Sequence, residues 1–270
     1  MGRASVRRPV TTIGVGAPRR TDTLAAEEPL EIRAAGRVLN VTMRTPGHDV
    51  ELVHGWLHAE GVIAGPEDVA TARYCAGAVD GVNTYNVLDV TLRVPPPTPR
   101  SVEHTSSACG VCGSASIDAL TRRGRFDVAA DATSLDADLL MTLPERMRAH
   151  QRSFEATGGL HAAGLFTPDG ELMVVREDVG RHNAVDKVIG WALLAGRLPL
   201  AGTVLQVSGR ASFELVQKAY LAGIPVLAAV SAPSSLAVDL AADVGLTLAG
   251  FVRDGRATLY SRPDRVVSGR

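Results

Sequence analysis

Between residues 173 and 243, three short apolar runs each pass through a polar loop into an apolar pattern of helical spacing, and this series restricts the fold more than any other part of the chain. Residues 173–176 lead through Glu177-Asp-Val-Gly-Arg-His-Asn183 into a helix with Val185, Val188, Ile189, Ala192 and Leu193 on one face. Residues 203–207 lead through Ser208-Gly-Arg-Ala-Ser212 into a helix that Gly223 closes. Residues 225–230 lead through Ser231-Ala-Pro-Ser-Ser235 into a helix ending at Asp243. Three strand–loop–helix units in series are hard to arrange except as right-handed crossovers on a largely parallel sheet, with all three loops at one edge. Residues 246–252 add another buried strand, which Arg253-Asp-Gly-Arg256 turns into residues 257–260.

Loops that follow parallel strands and open helices present backbone N–H groups and the positive helix end, which favours bound phosphate. Arg181, Arg210, Arg253 and Arg256 lie in or beside these loops, and a guanidinium fork matches phosphate oxygens. The expected ligand is therefore a large anion carrying phosphates. Ser208-Gly-Arg is not a Walker motif and no G-x-G-x-x-G follows a strand, so an ordinary nucleotide triphosphatase or dinucleotide dehydrogenase lacks its signature. Glu177, Asp178, His182, Asn183, Asp186 and Lys187 form a dense polar run that either caps a helix or serves a site. His161 stands between glycines that allow close backbone approach.

Residues 29–94 read as a smaller α+β region. Residues 30–33 and 38–43 flank a turn at Ala34-Ala-Gly-Arg37, a hairpin signal. Pro46 and Asp49 open a helix carrying Val50, Val53, Trp56 and Leu57, and residues 86–94 alternate like a half-buried strand. Three consecutive prolines and a fourth at Pro99 then begin a linker over 95–108, ahead of an α/β domain expected over 109–270. At the other end, residues 1–20 hold five arginines and no acid. Residues 1–28 are accordingly expected to be a disordered basic arm.

Two of the three cysteines, Cys109 and Cys112, fall in a Gly- and Ser-rich stretch before a short helix expected from Ile117. A C-x-x-C pair can form a disulfide, give two ligands to a metal, or carry sulfur with a neighbour that releases it. So low and odd a cysteine count argues against a disulfide-stapled secreted scaffold and points to a reducing compartment, the cytoplasm. Cys75 has no partner spacing and reads as an incidental thiol. A net charge of −1 argues against a dedicated nucleic-acid binder, and no run of about 18 apolar residues proposes a membrane span.

His58-Ala-Glu60 with the later C-x-x-C reproduces elements of the zinc-deaminase pattern. The context differs: His58 closes a helix, Ala108 replaces the expected proline, and the prolines separate the two halves. Structural zinc would need two further ligands that no second pair supplies.

Cys109-Gly-Val-Cys-Gly113, Gly159-Leu-His-Ala-Ala-Gly164, Glu177 through Lys187, Ser208-Gly-Arg210, Ser231 through Ser235 and Gly250-Phe-Val-Arg253 together resemble the formate dehydrogenase accessory sulfurtransferases of the FdhD type. The resemblance covers nearly everything after the basic arm. It implies a cytidine-deaminase-like three-layer α/β domain without the zinc chemistry. It implies a sulfurtransferase that takes sulfur from a cysteine desulfurase as a cysteine persulfide and passes it to molybdenum cofactor, bis(molybdopterin guanine dinucleotide), on behalf of formate dehydrogenase. Cys109 would hold the persulfide, Cys112 would assist its transfer, and Phe251, Val252, Arg253, Asp254, Gly255 and Arg256 would help hold the cofactor, with Arg181, His182 and Arg210 on the neighbouring loops. A homodimer is expected, since a persulfide near a neighbouring subunit's cofactor pocket would use one. The rival classes are the zinc-dependent nucleobase deaminase and a cofactor chaperone with chemically idle cysteines.

Overall fold

The computed structural model describes residues 4–14, 19–75, 78–79, 82–93 and 124–268. Cys109, Cys112, the linker expected at 95–108 and the start of the helix expected from Ile117 lie outside the described residues. The N-terminal residues are not the disordered arm expected: β1 (Ser5–Thr11) pairs antiparallel with β2 (Arg19–Ala25) through seven register positions. Arg7 and Arg8 are accommodated because consecutive residues of a two-stranded ribbon point to opposite faces, and both are exposed.

A four-stranded sheet follows, in the order β4 (Arg37–Arg44), β3 (Glu28–Ala34), β8 (Val87–Leu92), β5 (Val69–Tyr74). Two-residue strands β6 (Ala78–Val79) and β7 (Val82–Asn83) pair with each other. The β3–β4 turn places Ala35 and Gly36 at φ 50° and 73°, the left-handed pair that a tight hairpin requires. Helix α1 (Asp49–Ala59) buries Leu52, Val53 and Leu57 against Leu30, Ile32, Leu88 and Val90 of this sheet.

The larger part is a mixed six-stranded sheet ordered β11 (Leu172–Asp178), β10 (His161–Phe166), β12 (Val204–Val207), β13 (Val226–Ala229), β14 (Thr247–Arg253), β15 (Arg256–Ser261). Its three strand–loop–helix units are those read in the sequence, yielding α4 (Arg181–Leu194), α5 (Phe213–Leu221) and α6 (Ser235–Asp243). The sheet departs from the expected parallel run at one place. β10 lies antiparallel between β11 and β12, so only β12, β13 and β14 are parallel neighbours. Two antiparallel steps restore the original direction, and β11 through β14, leaving out β10, still end at one edge.

Alternation along the strands divides the core in two. Ala163, Leu165, Leu205, Val207, Leu227, Ala229 and Leu248 face α4, α5 and α6. Ala162, Phe166, Val204, Val226, Ala228 and Ala249 face Leu140, Leu143 and Met147 of α2 (Ala137–Arg148) on the opposite side. The result is a three-layer α/β/α arrangement. The short pair β9 (Leu135–Asp136) and β16 (Val266–Val267) closes the α2 side, and α3 (Arg152–Thr157) leads from α2 to β10. No helix among the described residues is long and apolar enough to cross a membrane.

The two parts are joined by helix on helix. A Cβ at Gly55 of α1 would overlap the carbonyl of Asp186 in α4, and one at Gly190 of α4 would overlap the carbonyl of Glu51 in α1. The crossing therefore needs hydrogen at both positions. Glu51 also accepts two hydrogen bonds from Arg176 of β11, at 2.5 and 2.7 Å. Burial works against the charged carboxylate, but Arg176 and His48 hold its pKa down at about 2. In an ordinary exposed helix Gly→Ala stabilises by about 1 kcal/mol. Here Gly190→Ala is expected to destabilise by about 3 kcal/mol, because backbone must move to admit the methyl; denaturant titration of the variant reads the sign directly.

Candidate functional site

The common edge of the six-stranded sheet gathers the loops after β11, β12 and β13, the β14–β15 turn and the start of β10 at His161. These loops are tied side by side. Ser231 N–H donates to the Gly209 carbonyl at 3.3 Å, Phe251 N–H donates to the Ser231 carbonyl at 3.2 Å, and Ser234 N–H donates to the Ala211 carbonyl at 3.0 Å. Gly250 allows the closeness, since a Cβ there would stand 2.9 Å from both Pro233 and the Tyr260 ring.

Most of the polar run from Glu177 to Lys187 builds the fold. Glu177 accepts from the N–H groups of Ser153 and Phe154, at 2.9 and 2.7 Å, and so caps α3. Asp178 is fully buried and accepts from Gly180 N–H, Asn183 Nδ2, Thr45 N–H and, at 2.7 Å, Lys187 Nζ. Lys187 also donates to the Thr45 carbonyl, and Val179 N–H donates to the Thr45 hydroxyl. Asp186 pairs with Lys218 at 2.8 Å in the interior. Two members of the run, Arg181 and His182, remain for the sheet edge.

Arg181 opens α4 immediately after Gly180, and no side chain caps that helix. Its aliphatic stem lies beside Gly209, as does the His161 ring. Arg181 Nε is buried and has no hydrogen-bond partner, a donor left for a ligand. Nε2 of His182 lies 3.1 Å from the Ser212 hydroxyl oxygen and 3.6 Å from the Glu214 carboxylate. Ser212 is the N-cap of α5, yet its hydroxyl does not cap it and serves His182 instead. Burial pushes the His182 pKa down to about 4, and the charges of Arg181, Lys218 and His161 add to this against the opposing pull of Glu214. The pull of Glu214 is weak because its side chain is 47% exposed and its field is screened by water. Burial and Arg181 lower the His161 pKa as well. Both imidazoles are neutral near pH 7 beside a permanently charged guanidinium.

Arg210, Arg253, Asp254 and Arg256 are exposed along the same edge. Phe251 adopts φ 52° and Asp254 φ 54°, and the ladder slips between Gly250 and Arg253. A left-handed aromatic residue costs on the order of 1–3 kcal/mol and marks a segment held in shape by its surroundings. Val252 corrects the sequence reading: its side chain is fully buried in the α2-facing core and offers nothing to a ligand. β11 and β14 are four strand spacings apart, so the cationic edge from Arg181 to Arg253 spans roughly 19 Å. Shallow, partly open clefts lie elsewhere, one beside Gly36 and Asp89, the other among Thr45, His48, His150 and Arg176. An open polar edge suits an extended, charged ligand better than a compact apolar one.

Sequence reading missed Ser212 and Glu214 as partners of His182. The only signal was a serine placed to cap a helix. Cys75 is half-buried at the end of β5, with no cysteine beside it among the described residues. His58, the histidine of the deaminase-like fragment, is buried with Nε2 donating to the Leu221 carbonyl at 3.1 Å. Among the described residues no three His, Cys, Asp or Glu side chains cluster to hold a metal ion.

A model of the FdhD/NarQ family matches residues 25–267. The sulfur carrier protein FdhD of Nocardia farcinica is 58% identical over 269 residues, covering 99% of this chain and 96% of that protein. The sulfur carrier protein FdhD of Streptomyces coelicolor is 58% identical over 273 residues, covering 98% and 97%. Among solved structures, a formate dehydrogenase accessory protein from Desulfotalea psychrophila superposes with a TM-score of 0.76 at 26% identity, over 98% of this chain and all of that one.

The depressed histidines fix a pH dependence. Between roughly pH 4 and 6.5 the unfolded chain binds a proton at residue 182 that the folded chain refuses, so stability falls as pH drops through that window. His54, His58 and His161 are lowered too, chiefly by burial, and act in the same sense. Denaturant-measured stability is expected to decline from pH 7 to pH 5. His182→Gln is expected to flatten that decline, and NMR titration of the His182 ring should place its midpoint well below the ordinary 6.5.

Proposed function

The chain belongs to the FdhD/NarQ family, and from that premise we propose that it is a sulfurtransferase: Cys109 receives sulfur from a cysteine desulfurase as a persulfide and delivers it to molybdenum cofactor destined for formate dehydrogenase. The observation that carries this reading is the cationic, hydroxyl-bearing sheet edge, with an unpaired Arg181 Nε at its β11 end. Bis(molybdopterin guanine dinucleotide) is a long ligand with two diphosphates. A row of guanidinium groups and helix starts roughly 19 Å long, two of those starts without a side-chain cap, matches such a substrate better than any single mononucleotide. Arg181 would take one phosphate group, and Arg253 and Arg256 would take another. His161 and His182, neutral near pH 7, add no positive charge, so the arginines supply the attraction.

The cysteine pair supplies the sulfur chemistry. The Cys109 thiolate attacks the outer sulfur of the donor's persulfide; a new S–S bond forms on Cys109, the donor's S–S bond breaks, and the donor leaves as a thiolate. Delivery at the oxidation level of sulfide requires two electrons. Cys112 provides them by attacking the Cys109 sulfur, which expels the outer sulfur as hydrosulfide and leaves a Cys109–Cys112 disulfide for cellular thiols to reduce. A reducing cytoplasm suits such a cycle, and a homodimer would allow one subunit's cysteines to serve its partner's bound substrate.

Incubation of the chain with a desulfurase and sulfur-labelled cysteine should place a reductant-labile label on Cys109. Cys109→Ala is expected to abolish label and formate dehydrogenase activation while leaving cofactor binding intact. A Cys109→Ala chain that activates the enzyme fully would instead establish the chaperone role. Replacing Arg253 and Arg256 together by Ala should weaken binding of a guanine nucleotide mimic by about tenfold, the loss of one charged phosphate contact. Unchanged binding would remove that turn from the site.

A further inference from the structure

The β1–β2 ribbon has no part in the core or in the site just described, yet its placement and charge are unusual. β1 and β2 pair only with each other among the described residues, and β2 packs beside α3. A two-stranded ribbon of this kind is marginal on its own in water. Its root is fixed to the body: Ala26 N–H donates to the Ala4 carbonyl at 2.9 Å, and Ala25 packs against Gly159. Gly159 lies two residues before His161, so the ribbon stands beside the candidate site.

Charge is segregated onto this element. Residues 1–25 contain five arginines and one acid, whereas the whole chain carries −1, so the remaining residues carry −5. Arg8 and Arg20 share one face with Asp22, and Arg7 lies on the other. Arg7, Arg8 and Arg20 are exposed, and Asp22 offsets only Arg20, at 3.4 Å. Past the end of β1, Ile13 is 93% exposed. Edge strands often carry charge to prevent aggregation, and a lone exposed isoleucine is ordinary. An apolar tip on a basic ribbon rooted beside a ligand-binding edge is the pattern of a docking element, with long-range attraction guiding approach and a small anchor fixing it.

We propose that the β1–β2 ribbon is an arm by which this chain docks onto the enzyme that takes up the ligand held at the sheet edge, through an acidic surface patch with an apolar recess for Ile13. The arm rests on the proposed function in that it requires such a recipient. The recipient is favoured over the sulfur donor as occupant because the ribbon's root adjoins the ligand-holding edge, where a recipient must approach.

The test uses the full chain and cofactor-free formate dehydrogenase as the captured partner, with affinity measured at about 50 mM and about 300 mM salt, on either side of the range where screening changes most. Arg7→Glu, Arg8→Glu and Arg20→Glu together should weaken binding at low salt by at least about tenfold and remove most of its salt dependence. Ile13→Asp should weaken it at both salts, Arg7→Lys, Arg8→Lys and Arg20→Lys together should retain binding, and melting temperatures should stay near that of the parent. Desulfurase labelling of Cys109 should be unchanged in every variant. Equal recipient affinity in the charge-reversed chain would overturn the proposal. So would loss of labelling with recipient binding intact, which would assign the arm to the donor, or a change confined to self-association in sedimentation. A parent chain that takes no label would defeat the carrier reading alone, since the affinity measurement still decides the arm.

Discussion

The carboxylate of Asp178 is the point on which the remaining architecture depends. It sits at the end of β11, fully buried, and gathers Gly180, Asn183, Thr45 and Lys187 around one anion. A buried charge without such partners would cost several kcal/mol, and removing one partner of a buried pair is strongly destabilising. With its partners it sets the turn from strand to α4, which aims Arg181 and His182 at the sheet edge. Through Thr45 it also anchors the N-terminal sheet to the larger domain. The geometry of the candidate site and the join between the two parts therefore rest on the same hydrogen bonds.

The division of labour within the polar run follows from burial. Glu177, Asp178, Asn183, Asp186 and Lys187 are directed inward or against neighbouring backbone, each with a defined partner. Arg181 and His182 are only partly buried at the sheet edge, where one donor is unsatisfied and the imidazole is kept neutral. A segment this dense in ionisable groups is stable because nearly every charge is matched, and the exception lies where a ligand would complete the set.

The three strand–loop–helix units were legible because short apolar runs, Gly- and Ser-bearing loops and helical periodicity agree over residues 172–243. β10 was not, because its two neighbours are chosen by long-range pairing that no local pattern encodes. α2 carries Leu140, Leu143 and Met147 at helical spacing behind the N-cap Asp136, but Pro144 inside it reads locally as a stop. The basic ribbon escaped notice because consecutive arginines interrupt the alternation that marks a strand. Within the site, the arginine-bearing loops could be read from residue type, whereas Asp178, Asn183 and Lys187 could be assigned to structure only once Thr45, 133 residues from Asp178, was seen beside them. Val252 was misjudged because neighbours on one strand alternate between core and loop edge.

The reciprocal glycines of α1 and α4 bear on how such a chain could be divided. The stretch of prolines after residue 94 looks from the sequence like a seam between modules, yet α1 presses its backbone into α4 across it, and Leu193 of α4 completes the core of the N-terminal sheet. A fragment ending near residue 94 would lose both the partner that fits its glycine and part of its hydrophobic lining. The covalent seam and the mechanical seam are thus in different places, and the molecule should come apart as one cooperative body rather than as two beads on a string.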